Sequence, residues 1–168
     1  MNEWYNGEGD KMNNIYERLN TYLWSHPTYK KVVGFLTIAL KYIMMASYVM
    51  LLIGFYITHD DYLIYAIIKP CAAFLIVTVI RKLINQSRPY DYLEVTPLFE
   101  HREGCSFPSR HAASAFIIAF TAIHFYLYIG IVMLIFAFLT AITRVLSGLH
   151  HISDVTAGMV LSLIIELL

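Results

Sequence analysis

The sequence predicts an all-α integral membrane protein, a bundle of about five transmembrane helices preceded by an amphipathic interfacial helix. Three observations predict it. Of 168 residues, 58% are hydrophobic and 14% charged, against about 25% charged in soluble domains. The apolar residues gather in runs near the ~20 residues that a spanning helix needs. The arginines and histidines stand mostly at the ends of those runs, as in "RKLINQSRP", "PSRH" and "TRVLSGLHHISD".

Two regions follow: residues 1–31, a polar N-terminus with the interfacial helix, and residues 32–168, the transmembrane domain. From Asn13 to Trp24 the apolar residues Ile15, Leu19, Tyr22 and Leu23 recur at helical spacing. Trp24 and Tyr29 are aromatics of the kind found at membrane interfaces. A helix lying on the bilayer and an amphipathic cap over the helix ends both fit this pattern. No basic start with a short apolar run opens the chain, so the first long run reads as a retained span. That span covers about Val32 to Thr58, with Lys41 as its awkward member. The second runs from about Tyr62 to Ile84, with Lys69 near its start and a bend expected at Pro70. The third runs from Ser109 to Tyr128, and a short turn around Gly130 leads to the fourth, which ends near Ser147. The fifth runs from near His151 to Leu168. The longest connection, Arg88 to Pro108, has the length of a functional loop.

Zero net charge supplies no basic field to draw nucleic acid. Cys71 and Cys105 make neither a disulfide framework nor a zinc-type spacing.

Threading the spans back and forth brings the end of the second, the start of the third and the junction of the fourth and fifth to one face. Arg81, Arg88, Arg110 and Arg144 then meet there. Arg and Lys cost about 2.5–3.5 kcal/mol at the centre of a membrane helix, so their gathering asks for an anion. Guanidinium forks match phosphate oxygens. Arg81 and Arg88 share a helix face if the helix persists that far; alone, Arg81 and Lys82 need only snorkel to the interface. Ser109 is a good N-cap, and the helix start behind it favours an anion. His150 and Asp154 are four apart, neighbours on a helix. An Asp that holds one ring nitrogen leaves the other as a directed lone pair. With His111 from another helix, the pair supplies one imidazole to attack phosphorus and one to act as acid. His26, His59, His101, His124 and His151 read as hydrogen-bonded structural residues, with His124 buried in the third span. A metal site built from His111, His150, His151 and Asp154 is the competing reading, and the surrounding arginines oppose a dication there.

Taken together, Arg81-x6-Arg88-Pro89, Pro108-Ser109-Arg110-His111 and Thr143-Arg144-x5-His150-x3-Asp154 resemble the three motifs of the type 2 phosphatidic acid phosphatase family, relatives of the vanadium haloperoxidases. Those motifs read Lys-x6-Arg-Pro, Pro-Ser-Gly-His and Ser-Arg-x5-His-x3-Asp. The resemblance covers about residues 62–168. Arg81 stands for the lysine, Thr143 for the serine and Arg110 for the glycine whose backbone approaches phosphate. The resemblance implies that His150 is the nucleophile, forming a phosphohistidine, that Asp154 orients it, and that His111 protonates the leaving oxygen. It implies phosphate binding by Arg81, Arg88, Ser109 and Arg144, with Arg110 turned away or joining them, and no metal or other cofactor.

The expected substrate is a lipid monophosphate or diphosphate, of the phosphatidic acid, phosphatidylglycerol phosphate or undecaprenyl diphosphate type, held at the bilayer edge. A non-catalytic protein binding anionic head groups is the alternative, and a haloperoxidase fits poorly because those relatives are larger and soluble. Oligomeric state is not legible. The expected location is the plasma membrane. Lys11, Arg18, Lys30, Lys31, Lys82 and Arg102 share the motif face, and the positive-inside rule turns that face to the cytoplasm. The resemblance turns it outward, and the expectation follows the resemblance.

Overall fold

The computed structural model describes residues 7–58, 61–99 and 103–168, with side chains from Ile15's helix neighbour Asn13 onward. His59, His101 and Arg102, and the side chain of Lys11, lie outside the described residues. Among the described residues seven helices follow one another: α1 (Gly7–Ser25), α2 (Pro27–Ile57), α3 (Leu63–Ile84), the single turn α4 (Pro89–Tyr92), α5 (Arg110–Phe125), α6 (Leu127–Leu146) and α7 (Ile152–Leu167). Among the described residues the chain is all-helical. Three stretches, Pro27–Ile57, Leu63–Tyr92 and Leu127–Leu146, are long and apolar enough to cross a membrane. At 16 residues each, α5 and α7 span about 24 Å, short of a ~30 Å hydrocarbon core.

The bundle is built around α5, which packs against α2, α3, α6 and α7. Its alanines make this possible. Ala112, Ala113, Ala115, Ala119 and Ala122 are buried beside Phe116 and Ile117, and small side chains let neighbouring backbones approach. Against them α7 sets Gly158, where an added Cβ would fall 2.9 Å from the Ser109 carbonyl oxygen. Ser162, one turn on, donates to the Ala113 carbonyl at 2.8 Å. Asp154 lies one turn before Gly158, so the same contact brings α7's acidic residue to the start of α5. Large apolar side chains such as Phe35, Met50, Ile64, Leu83 and Ile135 face outward, as a lipid-facing surface requires.

Several boundaries differ from expectation. The third helix closes at Phe125, and the chain breaks at Tyr126, not at Gly130. Gly130 lies inside α6, where its missing side chain lets α6 press on α5: a Cβ there would fall 2.2 Å from the Ile123 amide nitrogen. Because α5 ends early, His124 is exposed in its last turn, not buried. Helix α3 ends at Ile84, with Asn85 in the left-handed conformation at φ 44°. Arg81 and Arg88 therefore do not share a helix. Helix α3 continues through Pro70. Proline has no N–H for the carbonyl four residues back, and Tyr48 of α2 donates its hydroxyl to that carbonyl, Ala66 O, at 2.9 Å.

Helix α1 begins at Gly7 and presents two faces. Tyr16, Asn20 and Leu23 are buried, while Ile15, Leu19 and Tyr22 are exposed. The buried side caps the motif end. Asn20 pairs with both backbone groups of Thr96, at 2.8 and 2.9 Å, and Trp24 Nε1 donates to Thr96 O. The Tyr16 hydroxyl accepts from the Ile152 amide at the head of α7.

The close approach at Gly130 makes a test. Gly130→Ala should lose about 1–3 kcal/mol of stability from overpacking. Gly34→Ala, where a Cβ meets nothing within 4 Å, should be neutral or gain up to about 1 kcal/mol from helix propensity. Thermal unfolding of the two variants in detergent checks the difference.

Candidate active site

The three polar clusters meet at one end of the bundle. A hydrogen-bonded turn carries the third. Ser147 ends α6, and Gly148, at φ 72°, takes the left-handed conformation that closes many helices. Its amide donates to Val145 O at 3.0 Å, and Leu149 N donates to Arg144 O at 3.3 Å. The chain reverses over three residues and sets His150 before α7 begins. His150 and Asp154 are thus neighbours across a turn, not along one helix. His150 Nδ1 lies 3.2 Å from Asp154 Oδ2.

Asp154 is fully buried and gathers three donors on one oxygen. They are the His151 amide at 2.9 Å, His150 Nδ1, and the Ser106 hydroxyl at short range. Its own backbone carbonyl accepts from Ser109 N at 2.9 Å. A carboxylate so held keeps the Nδ1–H tautomer of His150 and directs Nε2 away. Burial pushes the His150 imidazole down to about 4, against the pull of the Asp154 carboxylate and with the push of Arg88 and Arg81. The ring is neutral near pH 7, the state a nucleophile needs.

The arginines are buried without acids. Arg81, Arg88 and Arg144 are each 4–6% exposed, and among the described residues no arginine is paired with a carboxylate. Arg81 Nη1 donates to the carbonyls of Ser106 and Pro108, at 3.2 and 2.9 Å. Arg88, the residue before α4, donates to Gly104 O at 3.0 Å and Leu149 O at 3.2 Å. These bonds tie the connecting loop and the histidine turn together. Arg144 differs, because its buried Nε has no hydrogen-bond partner.

His111, in the first turn of α5, lies within electrostatic range of His150, Arg144, Arg110 and Lys41. It lines two cavities. One, of about 430 Å³, is shared with Lys41, Phe99 and Arg144. The other, of about 410 Å³, is shared with Lys41, Arg110, Met44, Met45, Tyr48 and Phe74. Ser109 caps α5 by accepting from Ala112 N at 3.4 Å, and its amide is taken by Asp154 O. The open donors of this helix start are the amides of Arg110 and His111. Arg110 is exposed, 5.9 Å above the Phe74 ring. His151 faces away from this cluster, with Nε2 2.8 Å from the Tyr92 hydroxyl. Its Nδ1 is 3.4 Å from Asp154 Oδ2 and forms no hydrogen bond. Among the described residues no three His, Cys, Asp or Glu side chains group as metal ligands.

Every residue expected at the site is therefore found at this end of the bundle. Two that matter were missed. Ser106 stands in a loop with no periodicity to mark it, and only its place two residues before the Pro-Ser pair hints at a role. Lys41 was visible as a lone cation in an apolar run, but its direction was not.

A bundle of apolar helices that gathers arginines, two imidazoles and a buried carboxylate at one end defines the class as a helical membrane protein. Residues 61–168 match the family model of the PAP2 superfamily, and the chain belongs to that superfamily. It is 34% identical over 102 residues to the bacitracin transport permease protein BcrC of Bacillus licheniformis, covering 60% of this chain and 50% of that protein. It is 31% identical over 107 residues to the undecaprenyl-diphosphatase BcrC of Bacillus subtilis strain 168, covering 64% of this chain and 55% of that one. The matches thus span about half the length of these curated relatives. Among solved structures it is similar to Aquifex aeolicus LpxE, with TM-score 0.74 and 26% identity over 92% of this chain and 91% of that one. It shares its fold with a transmembrane PAP2-type phosphatidylglycerolphosphate phosphatase from Bacillus subtilis, with TM-score 0.75 and 20% identity over 98% and 85% of the two chains.

The depressed His150 pKa sets the sign of a pH effect. The folded state holds this proton less tightly than an unfolded chain, whose imidazole titrates near 6.5. The stability it contributes is full above about pH 6.5 and is lost as pH falls towards about 4, with a slope approaching roughly 1.4 kcal/mol per pH unit. Melting curves in detergent from pH 7 to 4 should fall less steeply for His150→Gln than for the parent.

Proposed function

We propose that this protein is an integral membrane phosphatase that hydrolyses a lipid phosphate monoester or diphosphate through a phosphohistidine. The observation that carries the reading is Arg144: a guanidinium 4% exposed, with an unpartnered buried Nε, beside a cavity that also holds His111. A buried cation without an acid is costly, and a bound phosphate would balance it. The family membership and the names of the relatives support the same substrate class.

In this reading Arg81, Arg88 and Arg144 surround the equatorial phosphoryl oxygens, joined by the open amides at the start of α5, with Ser109 shaping that start. Phosphoryl transfer asks mainly for such positioning and charge stabilisation. His150 Nε2 attacks phosphorus in line, while Asp154 holds Nδ1–H and stabilises the charge that develops on the ring. The bond from phosphorus to the leaving oxygen breaks, and His111 delivers a proton to that oxygen. Water, deprotonated by His111, then cleaves the phosphohistidine and releases inorganic phosphate. Ser106 positions Asp154.

The same reading assigns five crossings. Helix α6 starts at the far end and α5 starts at the motif end, so α5 crosses despite its length, and α7 returns beside it. Helix α1 forms the cap, with Ile15, Leu19 and Tyr22 turned to the bilayer surface, and the helices from α2 onward form the catalytic domain. The motif face is assigned to the outside of the plasma membrane.

Replacing the nucleophile tests the mechanism. His150→Ala should lower phosphate release from a short-chain lipid phosphate in detergent by about three orders of magnitude or more, with or without chelator. Wild-type turnover in that variant would rule out the assigned nucleophile.

A further inference from the structure

Lys41 sits in the middle of α2 and lines both cavities that His111 lines. Its depth can be counted. Phe55 and Tyr126 stack at 5.6 Å, which aligns the far ends of α2 and α6. Counted from that pair at 1.5 Å per residue, Lys41 stands about 21 Å up α2 and Arg144 about 27 Å up α6, one helical turn apart. Both line the same cavity with His111. Among the described residues no acid pairs with Lys41 or with Arg110. Lys41 and Arg110 are thus two further cations lining the cavity beside His111.

Beyond them the cavity turns apolar. Met44, Met45 and Tyr48 continue the Lys41 face of α2 by helical steps, and Ala115 and Ile118 continue the His111 face of α5. The path thus runs from Arg144, past His111, to Lys41 and Arg110, and then into a groove lined by methionine and aromatic side chains. Met side chains adapt to irregular apolar chains.

We infer that Lys41 and Arg110 form a second anion subsite, which holds the inner phosphate of a lipid diphosphate while the outer phosphate sits among Arg81, Arg88 and Arg144. This rests on the phosphatase reading above and narrows its substrate class. His150 bonds to the outer phosphorus. The bond from that phosphorus to the bridging oxygen breaks, and its electron pair stays on the bridging oxygen. The leaving group is then a lipid monophosphate. Its charge is met by Lys41 and Arg110, and its proton comes from His111. A monophosphate ester leaves as an alcohol, which carries no charge for two cations to meet. A site selective for monoesters would have no use for them at this position.

The experiment compares farnesyl diphosphate with farnesyl monophosphate in detergent, measuring kcat and KM for each. Wild-type protein should favour the diphosphate. Lys41→Met and Arg110→Ala should each lower the ratio of kcat/KM for diphosphate over monophosphate by about tenfold, the worth of one charge-assisted hydrogen bond. Lys41→Arg should restore most of it. Lys41→Met exchanges a cation for an apolar side chain in an apolar helix, which leaves insertion and folding favourable. Ratios within about twofold of wild type in both variants, or a wild-type preference for the monophosphate, would overturn the subsite while leaving the phosphatase reading standing. A wild-type protein that hydrolyses neither compound, with His150→Ala indistinguishable from it, would overturn the phosphatase reading and the subsite together.

Discussion

The Asp154 carboxylate is the interaction on which the rest of the structure depends. One buried oxygen collects the Ser106 hydroxyl, the His150 ring and the His151 amide, and the carbonyl of the same residue takes the amide of Ser109. Two chain segments far apart in sequence are thereby fixed to one point: the loop before α5 and the turn that leads from α6 into α7. A buried carboxylate is tolerated only when its lone pairs are satisfied and cations are near. Here the donors satisfy it and the Arg81 guanidinium lies within reach of its charge. The loops must close around it as a unit.

This arrangement leaves the cations in excess. Arg81 and Arg88 spend hydrogen bonds on backbone carbonyls, which hold the segment Gly104–Pro108 against the motif end. Arg144 spends none through Nε. The same residue types thus divide into those that build the enclosure and one that faces its interior. Helix α1 adds a lid of backbone contacts through Asn20 and Thr96, so the motif end is held from the outside as well.

Much of this was legible in the sequence, for identifiable reasons. Apolar runs mark the helices because a bilayer forces length and composition together, and charged residues at their ends stand out against that background. The convergence of Arg81, Arg88, His111, Arg144, His150 and Asp154 followed from alternating directions alone. The helix ends were less legible. Gly130 was taken for a turn because glycine serves both turns and close approaches, and only the position of Ile123 on the neighbouring helix distinguishes them. The extent of the helix after Arg81 depended on Asn85, whose left-handed conformation is fixed by tertiary contacts with Cys105. Ser106 was invisible because a serine in an irregular loop carries no periodic signal. The two faces of α1 could not be separated while its docking partner, Thr96, lay in a loop seventy-six residues away.

The Tyr48 hydroxyl on the Ala66 carbonyl has a mechanical consequence. It tethers α2 to α3 at the one peptide group that Pro70 leaves bare, at the end of the apolar groove away from Lys41. Towards the motif end of α2 no comparable polar strap joins these two helices among the described residues, and α2 makes its main packing with α6. Above the tether, the half of α2 that carries Lys41 is held chiefly by packing with α6, while the His–Asp pair is carried by α7 and the turn before it. One wall of the groove and the reacting groups thus belong to different helices.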